Sequence, residues 1–498
     1  MLTTIQDTLT ADSPTVELPA YDPSALTAGI AHIGVGNFHR AHEAYYTHQL
    51  LNQLPDANWG IRGISITGSG PATAAQFAQQ DNLYTLTEFS ADGDANVAVI
   101  GSIVDYIAAQ DDAEAALEAL ADPAIKIISL TITEGGYKLA ANRSFQLDDA
   151  DVQHDLHHPT EPKTAFGYVV EALARRKQRG SGPVTILSCD NLQHNGDAAR
   201  TAFLAFAAAR DAELADWIGQ HVSFPNSMVD RITPATHRAD RQRLNAQSGI
   251  DDALPVYCED FTQWIIEDEF AAGRPAWEQA GVLFVDDVTP YETVKLRLLN
   301  AAHSMLAYPA FLAGFRTVHE VMQDDLFRTY LYRFLQQTAR SLTTEAQVID
   351  LDDYIDQLMS RFSNEAVGDQ LARLCGDGAS KWPVFVLPTL LDHLQHGRDT
   401  ACLAFGLAAY GHYLQAGIDD KGKKYTVVEP HLTGADWANI RHQDSTCLLT
   451  TTPFASADLR AYPTFLAQYR SYRSQLARYG LIFSLKQTRC ILQTSEAA

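Results

Sequence analysis

Lys295, Asn300 and His303 fall in one stretch, DVTPYETVKLRLLNAAHSMLAYPAFLAG, which brings together a base, a neutral hydrogen-bond donor and an imidazole. Those types suit proton transfer at an oxygen, with an uncharged donor to steady the developing charge. A helix start is legible just upstream, where Thr289 can cap, Pro290 suits the first helical position and Glu292 stands where the partner in a capping box belongs. At about 100° per residue, Lys295 and His303 lie about 80° apart around a continuous α-helix with Asn300 to one side, so all three can border one cleft. Leu296, Leu298, Leu299, Met305 and Leu306 supply the apolar remainder. By spacing alone the plainer reading is a core helix with a solvated lysine and a hydrogen-bonded histidine, so other segments must decide.

Those segments belong to a chain of 498 residues, longer than the roughly 250 to 300 at which a single core stops growing, which predicts two domains. Up to about residue 285, short β-branched runs alternate with helical patterns, the signature of a parallel sheet built from βα units. The strand candidates are GIAHIGV, WGIRGISI, NLYTLTEF, NVAVIGS, AIKIISLTI and PVTILSC, with helices expected in AHEAYYTHQLLNQL, EAALEALAD and AFGYVVEALARRKQRG. Beyond Thr289 the pattern is mostly helical, as in TVHEVMQDDLFRTYLYRFLQQTARSL, DDYIDQLMSRFS and DTACLAFGLAAYGHYLQAG. The expected fold is therefore α/β, with a parallel-sheet domain over 1–286 that the glycine turn Gly34-Val35-Gly36 after its first strand would make Rossmann-like and dinucleotide-binding, and a mostly helical domain over 287–498 that carries the Lys295 cluster and is expected to be the substrate and catalytic domain. The last residues, SEAA, are expected to fray.

The first strand candidate runs into Gly34-Val35-Gly36-Asn37-Phe38-His39-Arg40-Ala41 and then a helix, the context a dinucleotide-binding turn requires. Gly34 permits the tight turn, Gly36 lets a pyrophosphate approach, and the N–H groups from Asn37 and Phe38 onward face the anion. The third glycine is absent, with His39 in its place. After the second strand, where an acid favours NAD and an arginine NADP, stand Thr67, Gly68 and Ser69, whose hydroxyls could meet a ribose or a phosphate. Either NAD or NADP is therefore admitted, NAD slightly favoured. Two further strands end in polar turns, one bearing Thr131, Thr133 and Glu134, the other Asp190 and Asn191. Open α/β sheets bind ligands beyond such ends. Asn191 can donate to a developing oxyanion, although an Asx turn ahead of the next helix would use the same residue.

The formal charge of -24 argues against nucleic acid or an anionic membrane as partner. Neither a membrane span nor the basic start and apolar core of a signal peptide is visible, so a cytoplasmic location is expected; a monomer is compatible with everything read here. Six cysteines, at 189, 258, 375, 402, 447 and 490, lack CxxC spacing and read as reduced thiols. His154, His157 and His158 sit in VQHDLHHPTEP, read as a polar, Pro-bounded loop, and no HExxH occurs; no metal is expected.

Several long strings, HIGVGNFHRAHEAYYT, SLTITEGGY, SCDNLQHNG, FPNSMVDRITPAT, FTQWIIEDEFAAGRPAWEQAGV, DDVTPYETVKLRLLNAAHS and DGASKWP, resemble the polyol-specific long-chain dehydrogenase family, from about residue 29 to about 425. The resemblance implies a metal-independent NAD(P)-linked enzyme that interconverts an open-chain polyol and a ketose, D-mannitol and D-fructose foremost. It implies that Lys295 of the KxxxxNxxH pattern is the general base, that Asn191 and Asn300 form the oxyanion hole, and that His303 holds substrate and lysine in register. By the same carry-over Asp230, Arg373 and Lys381 meet polyol hydroxyls, and Glu292 passes the proton to solvent, with its capping role as the rival. A free lysine has a pKa of ~10.4, so the base role requires desolvation or a nearby cation. The family also holds arabinitol and sorbitol dehydrogenases and hexuronate reductases such as those acting on fructuronate; TITEGGY and SCDNLQHNG look more like its mannitol enzymes. Ser69-Gly70 departs from the acidic residues of NAD-preferring relatives.

Overall fold

Strands Ala28–Ile33, Gly60–Ser65, Ile103–Ala108, Ile127–Leu130, Val184–Ser188 and Val222–Ser223 form one all-parallel sheet in a computed structural model that describes residues 3–9, 16–140 and 143–492. Counted along the chain, these strands lie in the order 3-2-1-4-5-6, that of a Rossmann dinucleotide-binding sheet. The order reverses between Ala28–Ile33 and Ile127–Leu130, which are direct neighbours. Alternation along a strand sends successive side chains to opposite faces. Ala31 and Ile33 pack with helices Ala113–Ala121, Ala165–Arg179 and Asn195–Arg210, while Ile30 packs with Leu50 of helix Glu43–Gln53. Both faces are covered, as parallel sheets require.

The chain divides into two compact units, Met1–Thr289 and Pro290–Ala498. The second has a core of helices, among them Ala301–Leu312, Asp325–Ala339, Leu351–Phe362, Ala401–Ala416 and Pro463–Tyr479, with Met305, Tyr330, Leu358, Phe405 and Tyr469 buried between them. No helix among the described residues is long and apolar enough to cross a membrane.

Four sequence readings need correction. NLYTLTEF and NVAVIGS do form strands, Tyr84–Phe89 and Ala95–Ile100, but they pair antiparallel with each other and join Val256–Glu259 in a separate sheet. The parallel sheet takes Ile103–Ala108 instead, a strand hidden because only Gly101 and Ser102 separate it from the preceding run. The segment around His154 is not a loop: Ala150–His157 is helical, with Asp149 accepting from the N–H groups of Asp151 and Val152. The Lys295 stretch is not one continuous α-helix either. Thr289–Val294 and Ala301–Leu312 are α-helical, and Lys295–Asn300 between them is a π-helical turn. Cys189, Cys258, Cys375, Cys402 and Cys447 are free thiols, and the terminal SEAA lies outside the described residues.

Candidate active site

In the first unit, the polar turns predicted to receive a dinucleotide follow the C-terminal ends of the parallel strands. Gly34 has φ +104°, and a Cβ there would meet the Thr131 carbonyl oxygen at 2.1 Å, so both conformation and space demand glycine. The Thr131 hydroxyl donates to the Gly34 carbonyl at 2.6 Å, tying together the two strand ends that flank the reversal of strand order. A Cβ on Gly36 would touch nothing closer than the Gly34 oxygen at 3.8 Å. Packing therefore does not require that glycine, and the space left open there is compatible with the close approach of a phosphate group. Asn37 is largely occupied: its amide donates to Pro234 O and Thr236 Oγ1, both at 3.0 Å, and its oxygen accepts from Arg40 at 2.7 Å. Phe38 is half-buried and stacks on His42.

Thr67, Gly68 and Ser69 are exposed after the second strand, and Ser69 precedes helix Gly70–Gln79. Thr133 and Glu134 are exposed as well, and Thr133 adopts φ +63° and ψ 164°, a region nearly confined to glycine. Asp190 accepts from the N–H groups of Ile132 and Thr133, while burial pushes its carboxyl above the usual range. Asn191 is exposed in the next turn. Asp230 is buried at the end of strand Ser227–Asp230, in the sheet with Gln263–Glu267 and Leu283–Val285.

Beneath the glycine turn lies a buried network that the sequence reading missed. His32 Nε2 is 2.9 Å from the Thr131 hydroxyl, His32 Nδ1 is 3.0 Å from Glu43 Oε2, and the Ser129 hydroxyl donates to that oxygen at 2.8 Å. His39 stacks on His32 with ring centroids 3.5 Å apart and planes 18° from parallel. His32, His39 and Glu43 are near enough to one another to suggest a metal site. However, imidazole lone pairs lie in the ring planes, and stacked rings do not aim them at one ion. Burial, with His32 beside it, holds His39 well below the ordinary histidine pKa, so it is a neutral packing element under the turn.

In the second unit, Glu292, Lys295 and Asn300 are 4%, 8% and 9% exposed. Lys295 opens the π-helical turn and Asn300 closes it; the N–H of Ala301 reaches back to Leu296 O, the i→i+5 spacing of such a turn. An α-helix would set residues five apart about 140° from each other; i→i+5 bonding puts more residues in each turn, which makes the angle between Lys295 and Asn300 smaller. Before the helix, Asp287 accepts from the N–H of Thr289 at 2.8 Å. His303 stacks on Phe362 at 4.5 Å, and its Nε2 lies 3.9 Å from Asp369 Oδ2. The other oxygen of Asp369 accepts from Arg373 at 2.7 and 3.1 Å, so Asp369 links two of the predicted residues. Its signal in sequence was only the i,i+4 acid–arginine spacing. Lys381 donates to Leu374 O at 3.2 Å and Gly376 O at 2.6 Å, and burial lowers its pKa. Glu429, also unforeseen, accepts from the N–H groups of Gly378 and Ala379 and from Tyr410, fixing the start of the helix that carries Lys381.

A sheet of this order with a glycine turn at its reversal defines a dinucleotide-dependent oxidoreductase fold, and the open cradle at Gly36 fits the phosphates such a cofactor brings. Residues 28–279 match the mannitol dehydrogenase Rossmann domain and 287–476 the mannitol dehydrogenase C-terminal domain. The chain is 46% identical to a polyol:NADP oxidoreductase of Gluconobacter oxydans, covering 85% of this chain and 88% of that one. It is 41% identical to a mannitol 2-dehydrogenase of Aspergillus fumigatus, covering 94% and 95%. Among solved structures, Pseudomonas fluorescens mannitol 2-dehydrogenase in ternary complex with NAD and D-mannitol superposes with a TM-score of 0.85 at 45% identity, covering 98% and 99%. A substrate-free D-sorbitol dehydrogenase gives 0.90 at 42%, covering 97% and 100%. The chain belongs to the mannitol dehydrogenase family. It is an NAD(P)-dependent oxidoreductase acting on the CH–OH groups of polyols.

Proposed function

We propose that this protein interconverts D-mannitol and D-fructose without a metal, with Lys295 as the base. The observation that carries this reading is the π-helical turn, which sets a buried lysine and a buried asparagine at its two ends. In the oxidative direction neutral Lys295 takes the proton of the C2 hydroxyl. A bound nicotinamide supplies the acceptor for the hydride leaving that carbon. Asn191 and Asn300 donate to the oxygen as charge develops on it, and because both are neutral they do not compete with the base. His303, flat against Phe362 and beside Asp369, holds the substrate oxygen in register with the lysine. Glu292, one helical turn before Lys295, carries the proton away, and Asp230, Arg373 and Lys381 meet the remaining hydroxyls.

A hexuronate substrate would need a cation aimed at its carboxylate. Arg373 is paired with Asp369, whose charge offsets its own, and Lys381 donates to two backbone carbonyls, so both suit neutral hydroxyls better than a carboxylate, which supports a neutral polyol instead. On the dinucleotide side, Gly34, Gly36, Asn37 and Phe38 would receive the pyrophosphate, Thr133 and Glu134 the nicotinamide end, and Thr67 and Ser69 the adenosine ribose. With no carboxylate at 67–69 to repel a 2′-phosphate, both cofactors are used, NAD slightly better. Initial rates with NADH and NADPH against fructose, other ketoses and fructuronate, with and without a strong chelator, test this. Fructose is expected to be the best substrate and the chelator to be without effect; preference for fructuronate, or chelator loss restored by zinc, would overturn the reading.

A further inference from the structure

One carboxylate, that of Asp190, accepts hydrogen bonds from both ends of the turn 132–137. Thr133, at φ +63° and ψ 164°, occupies a region that glycine alone enters without strain. Asp190 Oδ1 accepts from the Thr133 N–H at 2.7 Å, and Oδ2 accepts from the Ile132 N–H at 3.0 Å. At the far end of the same turn, the Tyr137 hydroxyl donates to Oδ2 at 2.8 Å and lies 2.5 Å from the Ser188 hydroxyl. Asp190 is 7% exposed and Tyr137 fully buried. The clamp is itself anchored, because the Asn195 amide donates to the carbonyls of Ser188 and Asp190, both at 3.1 Å, and to Ser227 O at 2.9 Å.

We propose that Asp190 is a positioning residue for dinucleotide binding, holding the backbone of Thr133 in the strained form that shapes the turn next to Gly34. The inference rests on the reading that these strand ends receive NAD or NADP. Three donors converge on the group, two N–H and one O–H, and a carboxylate is the side chain that only accepts. An asparagine would turn an NH₂ toward one of those donors. Released from the clamp, Thr133 would relax to negative φ, moving the turn that Thr131 ties to the Gly34 carbonyl.

The test titrates NADH against the full-length wild type, Asp190→Asn and the double variant Asp190→Asn/Thr133→Gly, with thermal melts alongside. Asp190→Asn is expected to raise the Kd roughly tenfold or more, and adding Thr133→Gly to recover most of that loss, because glycine adopts the conformation without a clamp. A purely structural role for Asp190 gives no such rescue. A folded Asp190→Asn with wild-type Kd, or a double variant binding no better than the single one, overturns the proposal. Should Asp190→Asn fail to fold, the double variant decides: a folded, NADH-binding protein supports the clamp, and an unfolded one overturns it. Should the wild type bind neither NADH nor NADPH, the functional reading fails, and amide exchange at Ile132 and Thr133 still tests the clamp, with unchanged protection in Asp190→Asn overturning it.

Discussion

Thr67, Ser69, Thr133, Glu134 and Asn191 are exposed at strand ends of the first unit, whereas Glu292, Lys295 and Asn300 of the second are at most 9% exposed along one helical run. On the proposed reading the first group works mainly through backbone, with a glycine at positive φ and a strained threonine shaping a surface for a large anion. On the same reading the second works through side chains whose protonation and donor capacity depend on exclusion of water. Substitutions in the first region should therefore act on dinucleotide affinity or stability, and those in the second on turnover.

The largest effect should come from the second region. Lys295→Ala is expected to lower turnover by on the order of 10²- to 10⁴-fold or more while NADH affinity is retained, as steady-state rates and fluorescence titration would show. In the wild type, mannitol oxidation should rise with pH through one ionisation below the ~10.4 of free lysine. Near-normal turnover in the variant, or a flat pH profile, would break the comparison.

Two glycines sharpen it from the other side. Gly34→Ala places a Cβ 2.1 Å from the Thr131 oxygen at φ +104° and should destabilise the protein by about 3 kcal/mol or more in denaturant melts. Gly36→Ala meets only an atom at 3.8 Å and should melt within about 0.5 kcal/mol of wild type while binding NADH more weakly. If Gly36→Ala binds normally, the glycine there does not serve the phosphates.

Ser69→Asp should cut the use of NADP about tenfold more than the use of NAD, because a carboxylate at the ribose repels the extra phosphate. The ratio of kcat/KM values measures this. Equal use of both cofactors by the variant would place the discriminating residue elsewhere.

The smallest effect belongs to a surface cluster outside both regions, where Arg179 and Arg175 hold the Glu118 carboxyl down at about 2. A lowered folded pKa contributes stability that is present above the ordinary carboxylate range and is lost as pH falls toward about 2. Glu118 is 45% exposed, so solvent screening leaves less than about 1 kcal/mol. Glu118→Gln should flatten the stability profile slightly below pH ~4.5 and leave turnover unchanged; an activity loss would mean this face is coupled to the site.

What the sequence determined by itself was local. β-branched runs ending in GVG, TGSG, TITE and SCDN turns marked four of the parallel strands and the polar turns at their ends, because side-chain alternation and turn chemistry act within a few residues. The helical character beyond Thr289 and the KxxxxNxxH pattern were legible for the same reason. Tertiary structure decided whatever depends on groups far apart in the chain. Ala95–Ile100 and Ile103–Ala108 are nearly contiguous and both suit strands, yet which of them joins the parallel sheet is set by the partner edge on offer. Ser129 reaches Glu43 across 86 residues, and Asp190 reaches Thr133 across 57, so neither the network under Gly34 nor the clamp on Thr133 leaves a local pattern. The π-helical turn leaves no mark in the sequence, since its residues satisfy an α-helical periodicity equally well. With i→i+5 bonding in that turn, the angle between Lys295 and Asn300 is smaller than the about 140° of α-helical spacing.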